Sequence, residues 1–156
     1  SDEIVLISPE ELKQKYPLSR NDQHAIAGAR KTIADIVHHR DPRLLVVCGP
    51  CSVHDTDAAL EYARRLKELS AELSDSLYIV MRVYFEKPRT TVGWKGLISD
   101  PFMDGSFEME KGLHIARKLM VDLVQLGLPL AGEALDPNNP QYLGDLFSWS
   151  VHAGRF

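Results

Sequence analysis

Apolar positions along this chain alternate between two rhythms, and the switches between them mark its elements. From about Asn21 to His39 the residues Ile26, Ala29, Ile33, Ile36 and Val37 fall mostly three and four apart, which predicts a helix with one buried stripe. Arg43 to Gly49 is a continuous apolar run of strand length, the pattern of a strand covered on both faces. Helical spacing returns with Ala59, Tyr62, Leu66, Leu69 and Leu73, behind Asp55 as a cap. Leu77 to Phe85 is strand-like again. Leu113, Ala116, Met120 and Leu123 form a third helical stripe, which Gly127 terminates with Pro129 just beyond. Leu130 to Leu135 reads as a third short strand, and the turn DPNNP starts a last helix over about Gln141 to Phe147. At the other end, Ile4 to Ser8 is a short apolar strand or arm. Ser8 followed by Pro9 then opens a brief helix that stops by Pro17.

Strands alternating with helices predict an α/β fold, with parallel strands joined by right-handed crossovers. Residues 1–42 form an amino-terminal extension of a short strand and two helices, and 43–156 carry three strand–helix units. Three units fit either an open doubly wound sheet or the opening portion of an eight-stranded barrel. Glu86 to Ser106 is a long loop rich in Gly, Pro, Asp and Lys, a length that usually marks function or disorder.

Side-chain alternation sharpens the middle strand. Ile79, Met81, Val83 and Phe85 share one wholly apolar face, while Tyr78, Val80, Arg82 and Tyr84 share the other. An arginine seldom sits inside a fold without a partner, so Arg82 is expected to face an anion or an acidic side chain. Beyond it, Lys87 and Arg89 flank Pro88, which fixes its own φ and extends the residue before it. A stiff cationic lip at a strand's carboxyl end suits phosphate or carboxylate groups, and a solvated basic loop is the competing reading.

Composition narrows the class without naming a chemistry. The chain has 156 residues, 44% hydrophobic and 26% charged, which is ordinary for a globular domain. A net charge of -4 argues against a general nucleic-acid or membrane-surface role. No apolar run approaches the roughly eighteen residues of a membrane helix, and no signal peptide is evident. Two cysteines are too few for a disulfide scaffold, so a cytoplasmic location is expected.

Those cysteines sit in CGPC, after a strand and before a helix, the pattern of a thioredoxin-type redox pair. The aromatic residue that usually precedes such a pair is replaced by Val47. Cys51 and His54 have spacing that can contribute to a zinc site, although a complete site needs three or four ligands, and His54 can equally belong to the helix cap. Cys48 reads as a small buried hydrophobe. Glu133, ending the third strand, can orient a cation or a water, or pair with an arginine of the lip. Trp94 reads as a pin for the long loop.

Taken together, LLVVCGPCSVHD, VMRVYFEKPRTTVGWKGLISDP, IARKL and GEALDPNNPQYLGDLFSWS resemble the amino-terminal part of 3-deoxy-D-arabino-heptulosonate 7-phosphate synthases. The match is to the short bacterial form, and CGPC, GEALDPN and LFSWS are most similar to its tyrosine-sensitive branch. The resemblance implies a (β/α)8 TIM barrel that condenses phosphoenolpyruvate with erythrose 4-phosphate in aromatic amino-acid biosynthesis. It also implies a divalent metal of the Mn, Fe, Co or Zn type, feedback by an aromatic amino acid such as tyrosine, and a homo-oligomer at full length. By motif, Arg82 and Lys87 align with phosphoenolpyruvate-binding and catalytic positions, and Glu133 and Arg155 line the same pocket. Pro88, Arg89 and Thr90 align with the erythrose 4-phosphate segment, Cys51 with a metal ligand, and Pro140 and Gln141 with the effector region.

The resemblance stops near Ser150, after which Val151 to Phe156 depart from the family's pattern. The family's remaining metal ligands (a histidine, a glutamate and an aspartate) belong to a part not matched here. The expectation is therefore a truncated chain with less than half a barrel, an open sheet edge, exposed apolar helix faces and no turnover of its own. A non-catalytic amino-acid-binding remnant and a thioredoxin-like domain are the alternatives.

Overall fold

A computed structural model describes residues 6–85, 96–105, 108–133 and 139–151. Helix α1 (Pro9–Lys15) begins as its sequence demands, with Ser8 Oγ accepting from the Glu11 amide at 3.2 Å and proline at the first turn. Leu6 to Ser8 are not in a strand, so the arm reading holds there. Helix α2 (Arg20–Val37) starts at a capping box: Ser19 Oγ accepts from the Asp22 amide, and the Asp22 carboxylate accepts from the Ser19 amide. Ile26, Ala29, Ile33 and Ile36 form its buried stripe, while Val37 is exposed.

Four strands follow: β1 (Leu44–Cys48), β2 (Leu77–Arg82), β3 (Leu130–Glu133) and β4 (Trp149–Val151). They lie side by side in chain order, every neighbouring pair parallel. Helices α3 (Thr56–Glu72) and α4 (Met109–Gln125) make the crossovers, and both contribute to the core on the Ile79 and Met81 face. A doubly wound sheet reverses its strand order and covers both faces with crossover helices. Sequential order with the crossover helices on one side is barrel construction, and four strands make half of an eight-stranded barrel. The opposite face is closed at its base by α2, whose Ile33 packs with Val80 and Ala131 against Leu45, Tyr78 and Trp149.

Three elements differ from the sequence expectation. β1 is not covered on both sides: it is one of the two edges of the sheet formed by the described residues, with Leu44 65% exposed and Val47 also exposed. An apolar run looks the same whether or not a strand has a second neighbour. On α3 the buried residues are Ala59, Ala63 and Leu66, whereas Tyr62, Leu69 and Leu73 lie on an exposed apolar border. The open edge and exposed helix faces agree with the expectation of an incomplete barrel. Finally, the last helix is α5 (Asn139–Leu143), five residues long, followed by a single 3-10 turn (Gly144–Leu146) and the unforeseen β4, which adds a fourth strand to the three expected. The turn between β3 and α5 lies outside the described residues.

Candidate functional site

The candidate site gathers where β1 and β2 end. Gly49 follows β1 directly, and the backbone of Arg82 occupies the space that a Cβ on residue 49 would need. That close approach lets Arg82 Nη2 donate to the Gly49 carbonyl at 2.6 Å. The guanidinium carbon also lies 5.2 Å from the centre of the Tyr84 ring, a cation–π contact. Arg82 Nε is buried and finds no hydrogen-bond partner among the described residues. Among the described residues, Arg82 thus meets a carbonyl and an aromatic face in place of the expected anion or acidic side chain, and its Nε has no acceptor there.

A second tie brings in the cysteine loop. The Val53 amide donates to the Tyr84 carbonyl at 2.7 Å. Cys51 lies between the two residues bonded to β2 and its extension, Gly49 and Val53, and is itself exposed. The loop that carries the thiol is thus stapled to the strand end that carries the arginine. Cys48 points the other way, onto the main core, beside the Tyr62 hydroxyl. Burial pushes the Tyr62 phenol above its ordinary pKa, the neighbouring Cys48 adds to this, and the Arg82 charge opposes it.

This arrangement disposes of the redox reading of CGPC. Helix α3 begins only at Thr56, so neither sulfur belongs to its first turn. Its N-terminus is occupied by Asp55, whose Oδ1 accepts from the Ala58 amide at 3.1 Å. An acidic cap there works against the thiolate stabilisation that a redox pair needs. The cap falls to Asp55 and not to His54. Among the described residues no group of three or more His, Cys, Asp or Glu side chains is placed to hold a metal ion. Cys51 supplies one soft donor, and the other ligands of any ion must come from elsewhere.

The remaining candidates divide by position. Glu133 closes β3, level with Val151 of β4, so it stands at the same carboxyl end as Arg82. Pro140 and Gln141 fall in α5, with Gln141 exposed. Lys87, Pro88, Arg89, Thr90, Trp94 and Arg155 lie outside the described residues. Part of the long loop is packed down: Leu97 and Ile98 are buried, and the Leu97 amide donates to the Phe85 carbonyl at 2.8 Å, whereas Phe102 and Met103 further along are exposed.

Sequence reasoning missed Arg117. It is 1% exposed and donates to the Tyr16 and Tyr142 carbonyls while gripping the Asp145 carboxylate with two bonds of 2.8 and 3.0 Å. Its neighbours Ala116 and Met120 stand on the apolar stripe of α4. A guanidinium beside that stripe was the available signal for a buried pair.

Sequential parallel strands with their crossover helices on one side define half of a (β/α)-barrel, and the candidate arginine and thiol lie at the strand ends where barrel sites gather. A family profile described as the DAHP synthetase I family matches residues 13–153. The chain is 70% identical over 155 residues to the Tyr-sensitive phospho-2-dehydro-3-deoxyheptonate aldolase of Escherichia coli K12, covering 99% of this chain and 44% of that protein. It is 54% identical to the phospho-2-dehydro-3-deoxyheptonate aldolase of Amycolatopsis methanolica, covering 96% of this chain and 74% of that one. The solved structure of the Francisella tularensis SCHU S4 phospho-2-dehydro-3-deoxyheptonate aldolase superposes with a TM-score of 0.91 at 50% identity, covering 96% of this chain and 44% of the other. The chain belongs to the DAHP synthetase I family. It spans less than half the length of the Escherichia coli relative.

Proposed function

We propose that this chain provides the phosphoenolpyruvate-binding rim of a 3-deoxy-7-phosphoheptulonate synthase. The reaction joins phosphoenolpyruvate and erythrose 4-phosphate with water, giving the seven-carbon keto acid phosphate and inorganic phosphate. The observation that supports this best is the buried Nε of Arg82, which has no acceptor among the described residues, on a guanidinium already fixed by Gly49 and Tyr84. A buried donor with no partner is costly unless a ligand supplies the acceptor, and a phosphate or carboxylate supplies it with charge. Preorganised cations of this kind offset the repulsion between two phosphorylated substrates.

In this reading Arg82 and Lys87 hold phosphoenolpyruvate, with Glu133 and Arg155 lining the same pocket. Pro88, Arg89 and Thr90 receive erythrose 4-phosphate. Cys51 would contribute a thiolate to a divalent metal, and such an ion would supply Lewis-acid chemistry for polarising the aldehyde and activating a water. Arg82 orients the bound anion, and Tyr84 screens the guanidinium from water on one face. Pro140 and Gln141 take an aromatic effector. Tyrosine is the preferred one, because identity is higher to the Tyr-sensitive relative (70%) than to the Phe-sensitive (58%) or Trp-sensitive (53%) ones. A cytoplasmic, homo-oligomeric setting belongs to the same proposal.

The test is phosphate release with both substrates and Mn²⁺, run beside phosphoenolpyruvate binding alone. Binding that is lost in Arg82→Lys supports the rim whether or not the chain turns over. Tyrosine binding with no phosphoenolpyruvate binding supports an amino-acid-binding role instead.

A further inference from the structure

We propose that residues 6–16 act as a strap whose docking on α4 and α5 holds β4 in the sheet, with Arg117 as the link. This goes beyond the proposed activity and stands whether or not the rim binds phosphoenolpyruvate.

The strap is tied down by four polar contacts. The Ile7 amide donates to Glu110 Oε1 at 3.0 Å, and the Ile7 carbonyl accepts from the Tyr142 hydroxyl at 2.7 Å. The Tyr16 hydroxyl meets His114 Nδ1 at 3.0 Å, and the Tyr16 carbonyl accepts from Arg117 Nε at 3.0 Å. Between these ends, Leu12 is fully buried in the main core. Three contacts reach α4, through Glu110 and His114 of its first two turns and through the buried Arg117 guanidinium, and one joins α5.

The other end of the device is the approach to β4. Helix α5 has five residues, far too few to be stable alone, and β4 has three. Their connection depends on arginine side chains for its carbonyls. Arg117 takes the Tyr142 carbonyl and the Asp145 carboxylate, while Arg30 of α2 takes the Gly144 and Phe147 carbonyls at 3.2 and 2.7 Å. One residue later, the Ser148 amide donates to the Leu130 carbonyl at 2.8 Å, beginning the β3–β4 ladder.

Arg117 therefore has one nitrogen on the strap and two on the β4 approach. Lifting the strap leaves a buried guanidinium N–H without its acceptor and removes the Tyr142 anchor, so both halves lose together. Coupling of this sort runs through a contiguous hydrogen-bonded cluster, here the strap, Arg117, Asp145 and the approach to β4.

Amide hydrogen exchange tests the link on the whole chain and two variants, one lacking residues 1–7 and one carrying Tyr142→Phe. Removing the arm is expected to speed exchange at Ser148 and the β4 amides about tenfold, the equivalent of one to two lost hydrogen bonds, with α3 amides unchanged. Tyr142→Phe is expected to produce the same pattern at lower amplitude. The proposal is overturned if β4 protection survives removal of the arm. It is equally overturned if α3 and β4 lose protection to the same extent, since that is general destabilisation.

Discussion

Arg82 and Gly49 are fitted to each other twice. The arginine side chain donates to the glycine carbonyl at 2.6 Å, and the arginine backbone fills the space a side chain at residue 49 would occupy. The same two residues thus fix the spacing of β1 and β2 and the direction of the guanidinium.

Gly49→Ala sets a methyl group against rigid backbone, which cannot rotate away. The expected cost is about 1–3 kcal/mol by urea unfolding, the range for overpacking. Weakened phosphoenolpyruvate binding is expected beside it, because the Arg82 anchor moves. A variant that unfolds like the parent and binds phosphoenolpyruvate as tightly contradicts the fit described.

Breaking the Arg117–Asp145 pair is expected to be among the most damaging single changes to stability. Asp145→Asn keeps the shape but leaves a buried guanidinium short of charge. The expected loss is about 3 kcal/mol, the lower end for a buried pair because Asp145 is about one-third exposed. Asp35→Asn, whose ion pairs with Lys31 and Arg40 lie on the surface, is expected to cost far less. Equal midpoints for the two variants in urea contradict this ranking.

Alkaline pH offers a separate handle through Tyr78. Burial raises its pKa above the ordinary phenol value, and the nearby Arg43 only partly opposes this. A raised folded-state pKa means the neutral phenol is the form the fold favours. Its stabilising contribution is complete below the unfolded pKa of about 10 and is lost as pH rises towards the folded value. Tyr78→Phe should therefore flatten the fall of the thermal midpoint above about pH 10. An unchanged alkaline slope means that Tyr78 is not the group responsible.

Much of this fold was legible because local chemistry and tertiary position agree. Ser8 and Asp55 cap the helices they were expected to cap, and Leu113, Ala116, Met120 and Leu123 are all buried as their spacing required. Strand alternation placed Arg82 and Tyr84 on one face, and they do meet. What escaped was non-local. The apolar run of β1 could not reveal that it is an edge strand. β4 is three residues long and is defined by its pairing with β3, so nothing within Trp149–Val151 announces it. The acceptor for Arg82 turned out to be a main-chain carbonyl, which every residue carries and no sequence motif marks. The ligands proposed for the site come from the family resemblance, because spacing alone left them open.

The central claim is that Arg82 presents to a phosphorylated anion a preorganised donor that has no acceptor among the described residues. The most direct measurement is heteronuclear NMR of the arginine Nε–H signals during a phosphoenolpyruvate titration. The account predicts a saturable shift of the Arg82 Nε–H resonance, and a loss of about 10- to 100-fold in affinity in Arg82→Lys, as befits a charged hydrogen bond. An Arg82 signal that stays still while phosphoenolpyruvate binds, or a lysine variant that binds equally well, would contradict it.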